Sequence, residues 1–227
     1  MTNTTYNLLE SYMRSCMDDS AHDCEHVYRV LWNALAIARE EKEVNHDVLI
    51  AACLLHDIGR PAQLADPSLC HAQVGSQMAY DFLLSQRMGE DFAQQVRHCI
   101  ATHRFRKNAP PQTLEAKILF DADKLDVTGA IGIARSLLYK GTVTEPLYTK
   151  RPDGSICNGE NTDVPSFFRE YHFKLKNLYD RFYTDAGARL AASRRAIAED
   201  FYRSLYAEVN TGYEAGQATL TDLLENE

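Results

Sequence analysis

"LLHDIGRP", residues 54–61, sets a histidine and an aspartate side by side at the end of the apolar run "VLIAACLL", 48–55. The run reads as the buried part of a helix, because a segment apolar on nearly every face belongs inside a core. Asp57 follows Ile50, Cys53 and Leu54 at seven, four and three positions, and His56 follows Leu49 and Ala52 in the same way. Residues so spaced share a helix face, so both polar groups point where the apolar ones point. Gly59 reads as a C-cap and Pro61 as a stop. The pair thus occupies the last turn of a core helix, where the negative end of the helix dipole favours a cation.

Working outward, the same arrangement recurs. His26, in "EHVYRVLWNALAIAREE", heads a stripe with Val30, Ala34 and Ala38. His103 shares a face with Val96, Cys99 and Ile100, and His71 with Val74, Met78 and Phe82, a stripe that Gly75 weakens. In "AKILFDADKLD", Asp123 follows Ala116, Leu119 and Phe120 at seven, four and three, while periodicity does not place Asp121 or Asp126. Singly, each is explained by a hydrogen-bonded core histidine or a capping aspartate. Together, inward carboxylates and imidazoles with few lysines or arginines on the same stripes need compensation. An unpaired buried charge costs several kcal/mol. A divalent cation satisfies all of them, and a mixed nitrogen–oxygen donor set suits Mn, Fe, Co, Ni or Zn better than Mg.

The rest of the chain reads as all-α. Helical periodicity covers roughly 4–17, 23–43, 46–57, 70–87, 90–103, 112–125, 127–139, 165–182, 187–209 and 215–225, with no useful strand alternation and no internal repeat. The stretch 141–166 is rich in Gly, Pro, Asn and Asp and reads as a long loop, either a lid over a site or a mobile surface segment. The expected organisation is a helical core over 1–140, this loop, and C-terminal helices over 167–227 that pack on the core. Phe167, Phe168, Tyr171, Phe173, Tyr179 and Phe182 supply aromatic surface to cap that core or to pair subunits as a homodimer, the former being favoured.

With 227 residues, 45% of them hydrophobic, the chain suits one large domain or one domain with an appendage. A net charge of -8 argues against stable nucleic-acid binding but not against a small anion in a locally positive pocket. Six scattered cysteines without a C-x-x-C pair point to a reducing, cytoplasmic setting. The N-terminus lacks a signal-type apolar segment, and no run is long enough to span a bilayer.

The pattern "H...HD...D" in an all-helical chain resembles the HD-domain metal-dependent phosphohydrolases. The matching positions are His26 in "HDCEHVYRV", His56 and Asp57 in "LLHDIGRP", and Asp123 in "DADKLD". The resemblance implies that these four hold one divalent metal ion. It extends over roughly residues 20 to 205, where "LLHDIGR", "DADKLDVTGAIGIARS" and "YHFKLKNLYDRFYTDAGARLAASRRAI" are similar to a bacterial subgroup with nucleoside-triphosphate pyrophosphohydrolase activity. His71 and His103 sit where some relatives carry extra histidines around a second metal. The "HDxxE" pattern is absent, since Arg60 and Pro61 occupy that turn, and a mechanism using that glutamate does not carry over.

The expected reaction is metal-dependent hydrolysis of a phosphoanhydride in a nucleotide, releasing pyrophosphate from a nucleoside triphosphate. In it Asp57 serves the reacting centre, Lys124 and Arg60 steady phosphates, and His71 or His103 moves a proton or holds a second ion. His22, Arg29, Asp126 and Arg104 are further candidates for substrate contact, the last in the basic run "HRFRKN". Nucleotidase or phosphodiesterase activity on the same fold is one alternative. A catalytically idle module that binds a nucleotide or a protein is another.

Overall fold

The computed structural model describes residues 1–17, 24–104 and 109–225. His22, Arg106 and Lys107 lie outside the described residues. The chain divides into two compact units, one of Met1–Asp126 with Phe182–Arg189, the other of Val127–Arg181 with Leu190–Glu227.

The first unit contains α1 (Asn3–Cys16), α2 (Cys24–Ala38), α3 (His46–Leu55), α4 (Arg60–Ala65), α5 (His71–Ser85), α6 (Glu90–Thr102) and α7 (Leu114–Leu125). Helix α3 is its centre. Val48, Leu49 and Ala51 through Leu55 are all buried, and α3 packs against α1, α2, α5, α6 and α7. A helix apolar all round can be satisfied only by neighbours on every side. Leu49, Leu54 and Leu55 are wholly buried, and each contributes about 1.5–3 kcal/mol by leaving water. Asn45 starts α3 by accepting a hydrogen bond from the Val48 amide at 3.2 Å, and Thr113 starts α7 by accepting from Ala116 at the same distance.

The HD turn differs from a simple helix stop. Gly59 has φ −84°, not the left-handed conformation of a C-cap glycine. Pro61 does not end structure but sits in the first turn of α4, where its missing N–H costs nothing. Gly59 is required for a different reason. A Cβ there would meet the His71 carbonyl at 2.3 Å and the Gly75 nitrogen at 2.5 Å. The HD turn and α5 therefore touch backbone to backbone. Gly75, which weakened the apolar stripe, is the other half of that contact.

The second unit contains α8 (Gly129–Thr142), a two-stranded antiparallel hairpin of β1 (Thr149–Lys150) and β2 (Ile156–Cys157), α9 (Phe167–Phe173), a 3-10 turn (Leu175–Asn177) and most of α10 (Asp185–Glu225). The loop 141–166 thus carries short strands that alternation did not reveal. The expected helix 165–182 is broken after Phe173. The two expected C-terminal helices form a single helix of 41 residues. Phe167 and Phe168 are wholly buried, and Phe168 meets Tyr202 and Tyr206 edge-on while Tyr171 stacks on Tyr202 at 4.0 Å. These aromatic residues form the core of their own unit. All six cysteines are free. Among the described residues, no helix is long and apolar enough to cross a membrane. The architecture is all-α apart from the hairpin.

Candidate metal centre

His56 occupies the C-cap of α3, and its Nδ1 donates to the Cys53 carbonyl at 2.7 Å. His103 occupies the C-cap of α6 and does the same to the Ile100 carbonyl, also at 2.7 Å. Both carbonyls belong to the last turn of their helix, where partners are lacking. Each bond turns Nε2 inward as an acceptor. His26, in the first turn of α2, has Nδ1 2.7 Å from Asp126 Oδ2, and His71, first residue of α5, has Nδ1 2.5 Å from Gln63 Oε1. A ring nitrogen tied in this way fixes the tautomer and the aim of its partner nitrogen, the usual support of a metal-ligating histidine.

The inward nitrogens meet carboxylates in two groups. His26, His56 and Asp123 form one, and Asp57, His71 and His103 the other. In the first, His26 Nε2 lies 3.4 Å from His56 Nε2 and 3.3 Å from Asp123 Oδ1. Asp57 joins them: its Oδ2 is 3.5 Å from His26 Nε2 and 3.7 Å from His56 Nε2, while its Oδ1 is 3.5 Å from His71 Nε2 and 3.7 Å from His103 Nε2. Two donors bound at about 2.1 Å to one ion lie roughly 3.0–3.4 Å apart, for octahedral and tetrahedral angles respectively. The observed separations match or slightly exceed that spacing.

Orphaned atoms agree with this fit. Both Asp57 oxygens and His71 Nε2 are buried without a hydrogen bond among the described residues, a costly state unless an ion satisfies them. Arg60 Nε approaches Asp57 Oδ2 at 3.0 Å as an ion pair, although off-line for a hydrogen bond. Burial disfavours a charged ring at His26, but the adjacent carboxylates of Asp123, Asp126 and Asp57 outweigh it and push that group up to about 10. A cation is what these carboxylates demand. Burial, reinforced by the fields of His103 and His26, brings His56 down to about 4, and burial with Arg60 brings His71 down to about 3. Burial raises the Asp57 carboxyl, but His56, His26 and Arg60 together hold it well below the usual carboxylate range. The same balance, led by His26, lowers Asp123.

The other sequence candidates fall as follows. Asp126 is buried between His26 and Arg29, whose Nε donates to its Oδ1 at 2.8 Å. It holds a ring rather than facing solvent. Lys124 is buried with its ammonium 4.2 Å over the Phe120 ring. Asp121 accepts from the Tyr183 and Thr184 amides and from the Thr184 hydroxyl, just ahead of α10. Arg104 Nη1 lies 3.7 Å from Cys70 Sγ. The side chains of Arg60, Asp123 and Arg29 are 25%, 29% and 30% exposed, so the buried centre opens to solvent past these three. Gln63 was not singled out by sequence, because the stop at Pro61 concealed the helix that carries it.

This fold and this donor set define a metal-dependent hydrolase. Residues 24–128, the segment that builds the site, match the family model of the HD domain. It is 29% identical over 207 residues to the uncharacterized protein YpgQ of Bacillus subtilis, covering 88% of this chain and 92% of YpgQ. A crystal structure of YpgQ in complex with ADP superposes with a TM-score of 0.70 at 26% identity, over 90% of this chain and 97% of that one. A Lactobacillus plantarum protein gives 0.71 at 27% identity, over 93% and 99%. An HD-superfamily hydrolase from Bacillus thuringiensis gives 0.69 at 28%, over 91% and 97%.

Proposed function

We propose that this hydrolase acts on nucleotides, and that it cleaves a nucleoside triphosphate to the monophosphate and pyrophosphate. The observation that carries the reading is Asp57, whose two buried oxygens face two separate groups of histidine nitrogens. His26, His56, Asp57 and Asp123 would hold a divalent ion, and His71 and His103 with the second Asp57 oxygen offer a place for another. Such an ion supplies electrophilic polarisation of a phosphoryl group and makes water more acidic.

The chain's own residues do the rest. Arg60 and Arg29, partly exposed beside the centre, meet phosphate oxygens. Arg60 suits this because it already leans on Asp57 and keeps a quarter of its side chain exposed. The phosphate role expected of Lys124 falls to these two arginines, since its ammonium rests on Phe120. His71, neutral at ordinary pH, offers a nitrogen lone pair beside the reacting centre. Nucleotide as the substrate class is supported by the ADP held by YpgQ. The test is a panel of nucleoside mono-, di- and triphosphates with Mn²⁺, Co²⁺ and Mg²⁺, read by product identification. Pyrophosphate from triphosphates is expected. Orthophosphate from monophosphates alone, or no hydrolysis of any nucleotide, would overturn the proposal.

A further inference from the structure

The four inward histidines are tied at Nδ1 by groups of two kinds. The partners of His56 and His103 are backbone carbonyls, and that of His26 is a carboxylate. These groups only accept, so they require a proton on Nδ1. His71 alone meets a side-chain amide, Gln63, at 2.5 Å. An amide has an acceptor on one side and two donors on the other, and a half-turn about its terminal bond exchanges them.

The geometry points to Gln63 as a positioning residue that lets His71 occupy either neutral tautomer. In the arrangement observed, Nδ1–H donates to Gln63 Oε1 and Nε2 faces Asp57 Oδ1 at 3.5 Å without a hydrogen bond. That is the form ready to receive a cation. With the amide turned over, its N–H donates to Nδ1, the ring proton resides on Nε2, and Nε2–H gives Asp57 Oδ1 the donor it otherwise lacks. One proton changes nitrogen and no net charge changes. The second group can therefore stand empty without an orphaned carboxylate oxygen there. In the first group the ties of His26 and His56 both require Nδ1–H, so no change of tautomer is open there. The second position can thus empty and refill by a change of tautomer, a route closed to the first. This rests on the divalent-ion reading of the site, but not on which nucleotide is cleaved.

The test uses metal-free protein labelled with ¹⁵N in its histidines. Long-range ring spectra distinguish Nδ1–H from Nε2–H. His56 and His103 are expected as Nδ1–H alone, and His71 with its proton wholly or partly on Nε2. Gln63→Glu, which only accepts, should return His71 to Nδ1–H alone. Titration with Zn²⁺ alone should show two sites in the wild type. Gln63→Glu should tighten the weaker one and Gln63→Leu should loosen it, each by about tenfold or more, with the tighter site unmoved. A wild-type His71 held only as Nδ1–H, or a tight site that moves with Gln63, overturns the inference. If the ring spectra behave as expected but no nucleotide is hydrolysed, the proposed reaction fails and this inference stands.

Discussion

His26 Nδ1 lies 2.7 Å from Asp126 Oδ2, and the other oxygen of the same carboxylate accepts from Arg29 Nε at 2.8 Å. Asp126 therefore holds the ring of one ligand and is itself held. Asp126→Asn keeps the shape but weakens the acceptor. The expected result is metal affinity lower by about 10–100-fold with the fold retained, measured by titration calorimetry with Mn²⁺. Unchanged affinity would show that the ring is oriented by other means.

The HD turn depends on a missing side chain. In Gly59→Ala the new Cβ would lie 2.3 Å from the His71 carbonyl oxygen and 2.5 Å from the Gly75 nitrogen. Both are backbone atoms and neither can swing away. A loss of about 1–3 kcal/mol is expected, as for overpacking elsewhere, together with weaker binding at the His71 side of the centre. Thermal melting with and without Zn²⁺ checks both.

Metal-free protein should weaken as the solution turns mildly acidic. His56 is brought from an ordinary value near 6.5 down to about 4 in the folded state. Between those values the unfolded chain binds a proton that the folded chain refuses, so stability falls with falling pH across that window. It is fully present above about pH 6.5. His71 acts in the same direction. Urea midpoints of chelator-treated protein should drop steadily from about pH 7 to about pH 4.5. A flat profile over that range would contradict the buried, neutral state of these rings.

Arg60 pairs with Asp57 while keeping part of its side chain in solvent. On the proposed reading, Arg60→Ala removes a charge-assisted contact to a phosphate, of a kind worth about 1.5–3 kcal/mol. KM for the nucleotide should rise by about tenfold or more, with a smaller change in kcat. An effect on kcat alone would place Arg60 at the reacting phosphorus instead of in binding.

Much of this arrangement is legible from spacing alone. Asp57, Asp123 and His103 each follow apolar residues at three and four positions, and burial of those residues carries the polar group inward. What spacing does not supply is the second layer. Asp126 lies at the end of α7, one turn past Asp123, and its partner is 100 residues away. Gln63 sits on a helix of six residues that begins at Arg60, too short for any period to register. Helix α10 spans both the expected helices 187–209 and 215–225, across Gly212 and Gly216, whose helix propensity is low. The chain stays helical there, and Asn210 Nδ2 donates to Glu214 Oε1 one turn on at 2.8 Å. The hairpin at 149–157 has strands of two residues, below the length at which alternation can be seen.

His26, His56, Asp57 and Asp123 are expected to bind one divalent ion together. Anomalous diffraction from crystals grown with Mn²⁺ tests it directly, with Asp57→Ala as the comparison. A strong peak is expected about 2.0–2.3 Å from a nitrogen or oxygen of all four side chains, absent in the variant. A wild-type peak that lies away from these residues, or that persists in Asp57→Ala, would contradict it.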